Sequence, residues 1–144
     1  MKRFFMIVAV ALCSAVIFSS CKKDDVEEIN YDTVLQGKWL VESVSPPMVD
    51  SYIAEGNTIE FKADHRFSLG SQWDGMFTET LWGVDFDRAT KYPIILMLGY
   101  DAQKVTHAVL EGRINYGNND LIYFDYDDPV QVGTTYTFKL VRKK

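Results

Sequence analysis

The sequence predicts an all-β domain in which about eight antiparallel strands follow one another around an up-and-down barrel. Short runs of residues alternate between apolar and polar, at the two-residue period of a half-buried strand. Turn-forming pairs such as Asp64-His65, Asp74-Gly75 and Asn118-Asn119 separate these runs, and such residues favour tight connections. Aromatic residues make up 14% of the chain, which is typical of β-rich proteins.

The early strands are delimited by proline and by alternation. The first strand ends at Pro46-Pro47, because proline lacks the N–H that a central strand needs. After a connection at 48–56, the second strand places Ile59 and Phe61 on one face, and the third continues this pattern. The predicted strands are Gly37–Ser45, Thr58–Ala63, Arg66–Ser71, Met76–Phe86, Pro93–Tyr100, Val105–Tyr116, Leu121–Tyr126 and Thr134–Arg142.

The later strands differ in their patterns. The fourth is long enough to bend at Gly83, and the fifth is almost entirely apolar. The sixth alternates as far as the turn at 117–120, and the seventh precedes the loop 127–133. The eighth places Tyr136 and Phe138 on one face. No run of a dozen residues after the N-terminal segment has a convincing helical period.

Consecutive hairpins favour a barrel because a single open sheet leaves two unpaired edges, which closure removes. An open sandwich of the same strands is the alternative. A barrel of about eight strands is just wide enough for packed side chains or one small ligand.

The N-terminal segment has the order of a secretory signal, residues 1–20. Lys2 and Arg3 precede an apolar run from Phe4 to Phe18, and Ser19-Ser20-Cys21 follows. This ending resembles the lipobox of bacterial lipoproteins. The resemblance implies cleavage between Ser20 and Cys21, with a covalent diacylglycerol and an N-acyl lipid then added to Cys21 and no other cofactor. An uncleaved N-terminal anchor is the alternative.

A charged stretch follows the expected anchor, so residues 21–34 are expected to form the lipidated Cys and a tether to the domain at 35–144. Lys22-Lys23 followed by Asp24-Asp25 resembles the surface-export signal of some Gram-negative lipoproteins. We therefore expect a lipid-anchored protein of the Gram-negative outer membrane. Exposure at the cell surface and a periplasm-facing position both remain open.

Composition limits the partners and the bonds within the domain. The formal net charge is −5, and loss of Lys2 and Arg3 with the signal makes the remainder more acidic still. An acidic domain is poorly suited to phosphate backbones, so nucleic acid is not an expected partner. Cys13 lies in the signal and Cys21 in the anchor, so no disulfide is expected. The domain must be stabilised by one hydrophobic core.

The domain resembles lipocalin-like proteins in three places. Leu35-Gln36-Gly37-Lys38-Trp39 is similar to their Gly-x-Trp first strand, Ile59–Leu69 to their second hairpin, and Tyr136–Arg142 to their closing strand. Gly37 lets the chain enter the barrel floor without a Cβ clash, and Trp39 closes that end with a large apolar surface. The resemblance implies that a basic residue, here Arg142, lies over the Trp39 ring as a cation–π partner.

Residues that commonly support catalysis are sparse. His65 and His107 are far apart in sequence and have no cysteine at metal-ligand spacing. No Gly-x-Ser-x-Gly motif or phosphate-binding glycine loop is present. We therefore expect neither an enzyme nor a metal site. The alternative is calcium at a carboxylate cluster, although its spacing fits no EF-hand. This cluster consists of Asp125, Asp127 and Asp128, together with Asn118, Asn119 and Asp120.

Two functions remain open. In the first, the barrel binds an apolar or amphipathic small ligand. In the second, it is filled and serves as a protein-interaction or structural module, with loop aromatics such as Tyr52 and Trp73 as contact residues. The expected ligand-lining residues, which would equally fill a core, are Phe61, Phe67, Leu69, Trp82, Leu96, Leu110, Tyr123 and Phe138.

Overall fold

The computed structural model describes residues 28–48, 51–70 and 73–144. The expected signal 1–20, its cleavage site at Ser20 and Cys21, and the tether as far as residue 27 lie outside the described residues. The elements are helix α1 (Tyr31–Leu35) and strands β1 (Gly37–Ser45), β2 (Thr58–Phe61), β3 (Phe67–Leu69), β4 (Glu79–Phe86), β5 (Pro93–Tyr100), β6 (Thr106–Asn118), β7 (Leu121–Asp127) and β8 (Thr135–Arg142), with a short 3-10 turn at Asp74–Met76.

The eight strands form one antiparallel sheet in the order β3-β2-β1-β8-β7-β6-β5-β4. Each strand pairs with its neighbours in sequence, except that β3 faces β4 without a ladder. In addition, β1 pairs with β8. The sheet therefore curls into a nearly closed barrel whose strands run up and down in chain order. This confirms the predicted fold class and is consistent with a lipocalin-like fold.

The seam between β3 and β4 is closed by a few specific hydrogen bonds. The Thr80 hydroxyl accepts from the Phe67 N–H at 3.0 Å and donates to the Phe67 carbonyl at 2.8 Å. The Trp82 N–H donates to the His65 carbonyl at 2.8 Å, and the Trp82 indole N–H donates to the Lys62 carbonyl at 3.1 Å. Side chains thus supply part of the pairing that a ladder would provide.

The predicted strand boundaries agree closely with the structure. The bounds of β1 and β5 match the prediction at both ends. The largest difference is at β4, which begins at Glu79 and not at Met76, because Asp74–Met76 forms a 3-10 turn. Helix α1 lies across the expected join between tether and domain, where the sequence has no helical period.

Large side chains fill the barrel interior. The rings of Phe61 and Trp82 contact each other edge to face at 5.2 Å, and Phe61 meets Phe124 at 6.3 Å. No polar or charged residue is buried within the described part of the chain. The buried core consists of Leu35, Trp39, Val41, Val44, Ile53, Ile59, Phe61, Phe67, Leu69, Trp82, Ile95, Met97, Val109, Leu110, Ile114, Ile122, Phe124, Tyr136, Phe138 and Leu140.

One end of the barrel, which we call the closed end, is covered by α1. The Asn30 side chain caps the helix by accepting from the Thr33 N–H, and Leu35 is buried beneath it. The Tyr31 ring meets Phe86 and Tyr116 edge to face, at 6.3 and 6.5 Å. The helix is therefore held by packing on the barrel, since five residues are too few to be stable alone.

Arg142 ties the closed end together. Its guanidinium carbon lies 4.3 Å from the Trp39 ring centroid, and its N–H groups donate to the carbonyls of Val34, Gln36 and Asn119 at 2.6, 2.9 and 2.8 Å. The Trp39 indole donates to the Leu35 carbonyl at 2.8 Å. The carbonyls at the end of α1, which have no partner within the helix, are thereby satisfied.

Gly37 has a backbone requirement at this end. Its φ is +116°, a region that residues with a side chain rarely adopt. A Cβ at this position would also lie 2.9 Å from the Arg142 Nη1. The structure thus brings Gly37, Trp39 and Arg142 into one contact at the closed end, the geometry that the lipocalin-like resemblance implies.

Candidate functional site at the open mouth

The other end of the barrel, which we call the open mouth, carries residues 51–57 of the connection between β1 and β2. Ile53 is 2% exposed and anchors this connection in the core. Its N–H is satisfied by the Ser51 hydroxyl at 3.1 Å. The connection therefore lies over the ends of the strands and places Tyr52 at the rim.

Aromatic rings gather around Tyr52. Its ring contacts Trp73 edge to face at 5.3 Å and Phe77 at 5.7 Å. The Phe77 ring lies against the backbone of Gly99, where a Cβ would come within 2.4 Å of it. Tyr52 and Trp73, expected as loop contact residues, are both half-buried and pack together over the mouth.

A hydrogen-bonded chain joins Asp101, His107 and Tyr52. The His107 Nε2 lies 2.9 Å from the Asp101 Oδ2, and its Nδ1 lies 3.3 Å from the Tyr52 hydroxyl. Because a carboxylate only accepts, Nε2 carries a proton, and in the neutral ring Nδ1 accepts from the phenol. The carboxylate therefore fixes the tautomer and orientation of His107, and the ring in turn orients Tyr52.

The carboxyl of Asp101 is ionised over most of the pH range. The hydrogen bond from His107 lowers its pKa below the ordinary value, and N–H groups of Val105 and Gln103 lower it further. Across the mouth, burial raises the pKa of Tyr126 and the charge of Asp128 adds to the rise. Asp101 thus supplies a fixed negative charge, while Tyr126 remains a neutral phenol at physiological pH.

A hollow of about 290 Å³ opens beside Tyr52, and we call it the mouth hollow. Leu110 and Phe138, both buried, line it from the barrel, while Tyr126 lines it from the end of β7. The connection between β1 and β2 contributes Met48 and Tyr52. The lining is mostly apolar, and its polar members are Ser51, Glu111 and the two tyrosines.

The predicted ligand-lining residues fall into three groups. Leu110 and Phe138 line the mouth hollow. Phe61, Phe67, Leu69 and Trp82 are packed in the core beneath it. Leu96 and Tyr123 do not face the interior, which corrects that expectation: Leu96 is 40% exposed, and Tyr123 alternates with the buried Ile122 and Phe124 on β7.

The acidic residues near β7 are engaged in local bonds. Asp125 accepts from the Asn115 amide and from the Thr137 hydroxyl at 2.7 Å. Asp127 pairs with Arg113 at 3.1 Å, and Asp128 accepts from the N–H groups of its own loop. Within residues 28–48, 51–70 and 73–144, no group of three His, Cys, Asp or Glu side chains is placed to hold a metal ion.

Sequence reasoning missed the Asp101–His107–Tyr52 chain. Tyr52 and His107 are 55 residues apart, and no spacing rule connects a loop tyrosine with a strand histidine. The only available signal was the position of Asp101 and His107 on either side of a predicted hairpin turn.

Comparison with protein-family models, curated proteins and solved structures gave no match for this chain. The part of the chain that the structure describes contains no helix with the length and apolarity needed to span a membrane. The function therefore has to be inferred from the residues themselves.

Proposed function

We propose that this protein is a lipid-anchored, non-catalytic binding protein of lipocalin-like type, which takes a small apolar or amphipathic ligand at its open mouth. The observation that carries this proposal is the mouth hollow, an apolar recess beside a tyrosine whose hydroxyl is held in place. Pockets of this chemistry, mostly apolar with a few oriented polar groups, are typical of small-molecule sites.

The volume of the hollow limits the ligand. At about 290 Å³ it lies at the lower edge of the roughly 300–1,000 Å³ that is usual for ligand pockets. Phe138 and the packed core close it from below, so a long chain could not extend down the barrel axis. The ligand is therefore small, or only one end of a larger molecule enters.

The hydrogen bonding of Tyr52 indicates which polar group the ligand carries. With a neutral His107 ring, the phenol donates a hydrogen bond to Nδ1, so the phenol oxygen retains lone pairs that can accept. A ligand hydroxyl or amide N–H would satisfy this oxygen, whereas a ligand carboxylate would be repelled by Glu111 at the same hollow. We infer a neutral ligand with a hydrogen-bond donor at its polar end.

The lipobox-like segment supports the location that we propose. Acylation of Cys21 would place the domain on the outer membrane of a Gram-negative bacterium, on either its surface or its periplasmic side. Two or more acyl chains give stable anchoring, whereas one gives only marginal binding.

Native mass spectrometry of the full chain, purified from membranes in neutral detergent, tests ligand binding. Ala108 lines the hollow and is exposed, so Ala108→Trp fills it from the rim. Ala102→Trp, on the exposed β5–β6 turn, is the matched control. We expect a small-molecule adduct on the wild type and the control and none on Ala108→Trp. Unliganded spectra from all three proteins would contradict ligand binding.

The packed interior favours a second candidate, a filled barrel that serves as a protein-interaction or structural module. Trp39, Trp82 and Phe124 are at most 1% exposed, so the barrel itself has the solid core that such a scaffold needs. Native mass spectra without an adduct on the wild type and on both variants would favour this candidate over ligand binding.

A further inference from the structure

Strand β5 is apolar on both faces. Ile95 and Met97 face the core and are fully buried, yet the alternate residues Ile94, Leu96 and Leu98 face outward. The outer face of an antiparallel barrel is normally polar because it meets water, and a strand apolar on both faces is typical of one covered on both sides. Here the barrel covers only the inner side.

The outward residues of β5 form part of a groove of about 870 Å³, which we call the outer groove. Across the ladder, Leu98 pairs with Leu81 and Leu96 pairs with Gly83. Leu81 is 46% and Leu96 is 40% exposed. Gly83 forms the floor, and a Cβ placed there meets no atom within 4 Å. The groove is therefore a recess between large aliphatic side chains.

Carboxylates surround this apolar floor. Asp64, Asp85, Asp87 and Glu111 all line the groove, and none of its lining residues in the described chain is lysine or arginine. Asp64 is partly matched by Arg66 at 3.8 Å, and Asp87 accepts N–H groups of its own turn. Asp85 and Glu111 form no ion pair within residues 28–48, 51–70 and 73–144, so their charges face solvent across the groove.

We propose that the outer groove docks a segment of a partner protein that presents aliphatic side chains flanked by lysine or arginine. Apolar burial on Leu81, Leu96 and Leu98 supplies the favourable free energy, and the carboxylate rim selects a cationic partner and speeds its approach. A second copy of this chain would place one acidic rim against the other. An anionic lipid surface would be repelled in the same way.

This proposal is independent of ligand binding at the open mouth. The outer groove lies along β4 and β5 and reaches Asp64 and His65 on the turn between β2 and β3, whereas the mouth hollow lies at the strand ends beside Tyr52. Variants in one site therefore leave the other intact, except that Glu111 borders both.

Binding of synthetic peptides to the immobilised full chain tests the proposal. The probes are three peptides of equal length with alternating Leu and Lys, Leu and Glu, or Ser and Lys. Gly83→Trp adds a side chain that fills the groove, and there is room for it because a Cβ at this position meets no atom within 4 Å. Val130→Trp is its control, since Val130 lies on a loop and is 86% exposed. We expect the Leu/Lys peptide to bind the wild type most tightly and to lose about tenfold or more in affinity with Gly83→Trp alone.

A charge exchange gives the second arm. Asp85→Lys with Glu111→Lys should weaken Leu/Lys binding roughly threefold and strengthen Leu/Glu binding, since two exposed attractive contacts become repulsive ones. Glu55→Lys, exposed on the β1–β2 connection, is the control for charge reversal. Equal binding of the Leu/Lys and Leu/Glu peptides to the wild type would overturn the proposal. The proposal would also be overturned if the wild type dimerised, or bound phosphatidylcholine vesicles, and Gly83→Trp did not.

Discussion

Arg142 closes the barrel, and its removal should destabilise the fold more than loss of any other arginine. The Arg142 guanidinium lies over Trp39 and donates to the carbonyls of Val34, Gln36 and Asn119. Arg142→Ala removes the cation–π contact and leaves these acceptors at the closed end without their donor.

The magnitude follows from these contacts. A cation–π contact contributes about 0.5–2 kcal/mol, and a hydrogen bond to a charged group about 1.5–3 kcal/mol. Because the Arg142 side chain is 23% exposed, water replaces part of what is lost. We therefore expect Arg142→Ala to lower the free energy of unfolding by about 3 kcal/mol, a large share of the roughly 5–15 kcal/mol that is usual for a domain. Arg142→Lys keeps the charge and one hydrogen bond, and should cost about 1–2 kcal/mol.

Urea unfolding of the full chain, followed by tryptophan fluorescence, measures this difference. Arg88→Ala is the control, since Arg88 is exposed in the turn after β4, and it should change the free energy of unfolding by less than about 0.5 kcal/mol. If Arg142→Ala unfolds at the same urea concentration as Arg88→Ala, the closed end is not held by this residue and the reasoning fails.

Three further predictions concern the seam, the open mouth and the anchor. Thr80→Val should cost about 1–3 kcal/mol because both Phe67 backbone groups lose their partner; hydrogen exchange should then speed up in β3, and unchanged exchange would contradict this. The pKa of Asp101 is lowered in the folded state, so its ionised carboxylate, bonded to His107, stabilises the fold. This stabilisation is fully present above the ordinary pKa of about 3.9. It is lost as the pH falls through the lower pKa of the folded state. The melting temperatures of wild type and Asp101→Asn should therefore differ at neutral pH and converge in acid, and a difference that stays constant with pH would refute the assignment. Cys21→Ala should move the protein from the membrane fraction to the soluble one, and a variant that stays membrane-bound would rule out the lipid anchor.

Most of the fold could be predicted because strands with one buried face leave a two-residue period in the sequence. The bounds of β1 match at both ends because Pro46 stops the strand and alternation marks its length. Helix α1 could not be found this way, since five residues are too short for a helical period and packing on the closed end stabilises it. The 3-10 turn at Asp74–Met76 has no period of its own either, but the Asp74-Gly75 pair marks its position in the sequence.

The candidate site was harder to predict because alternation gives spacing but not direction. In β5 both faces are apolar, so nothing in the sequence says that Leu96 faces outward. A bulge between Met97 and Leu98 opposite β6 further disturbs the register. In β7 the outward Tyr123 stands between the inward Ile122 and Phe124, and all three are apolar enough to line a core. Only the three-dimensional pairing separates the two faces.

Hydrogen exchange of the full chain with and without N-phenyl-1-naphthylamine, a neutral apolar probe with one N–H donor, tests the central claim most directly. If a small ligand binds at the open mouth, saturating probe should slow amide exchange at 107–110 and 126–128 and leave β1 beside Trp39 unchanged. Ala108→Trp should abolish this protection, and Ala102→Trp should preserve it. Protection at the closed end, or the same protection in Ala108→Trp, would contradict the account.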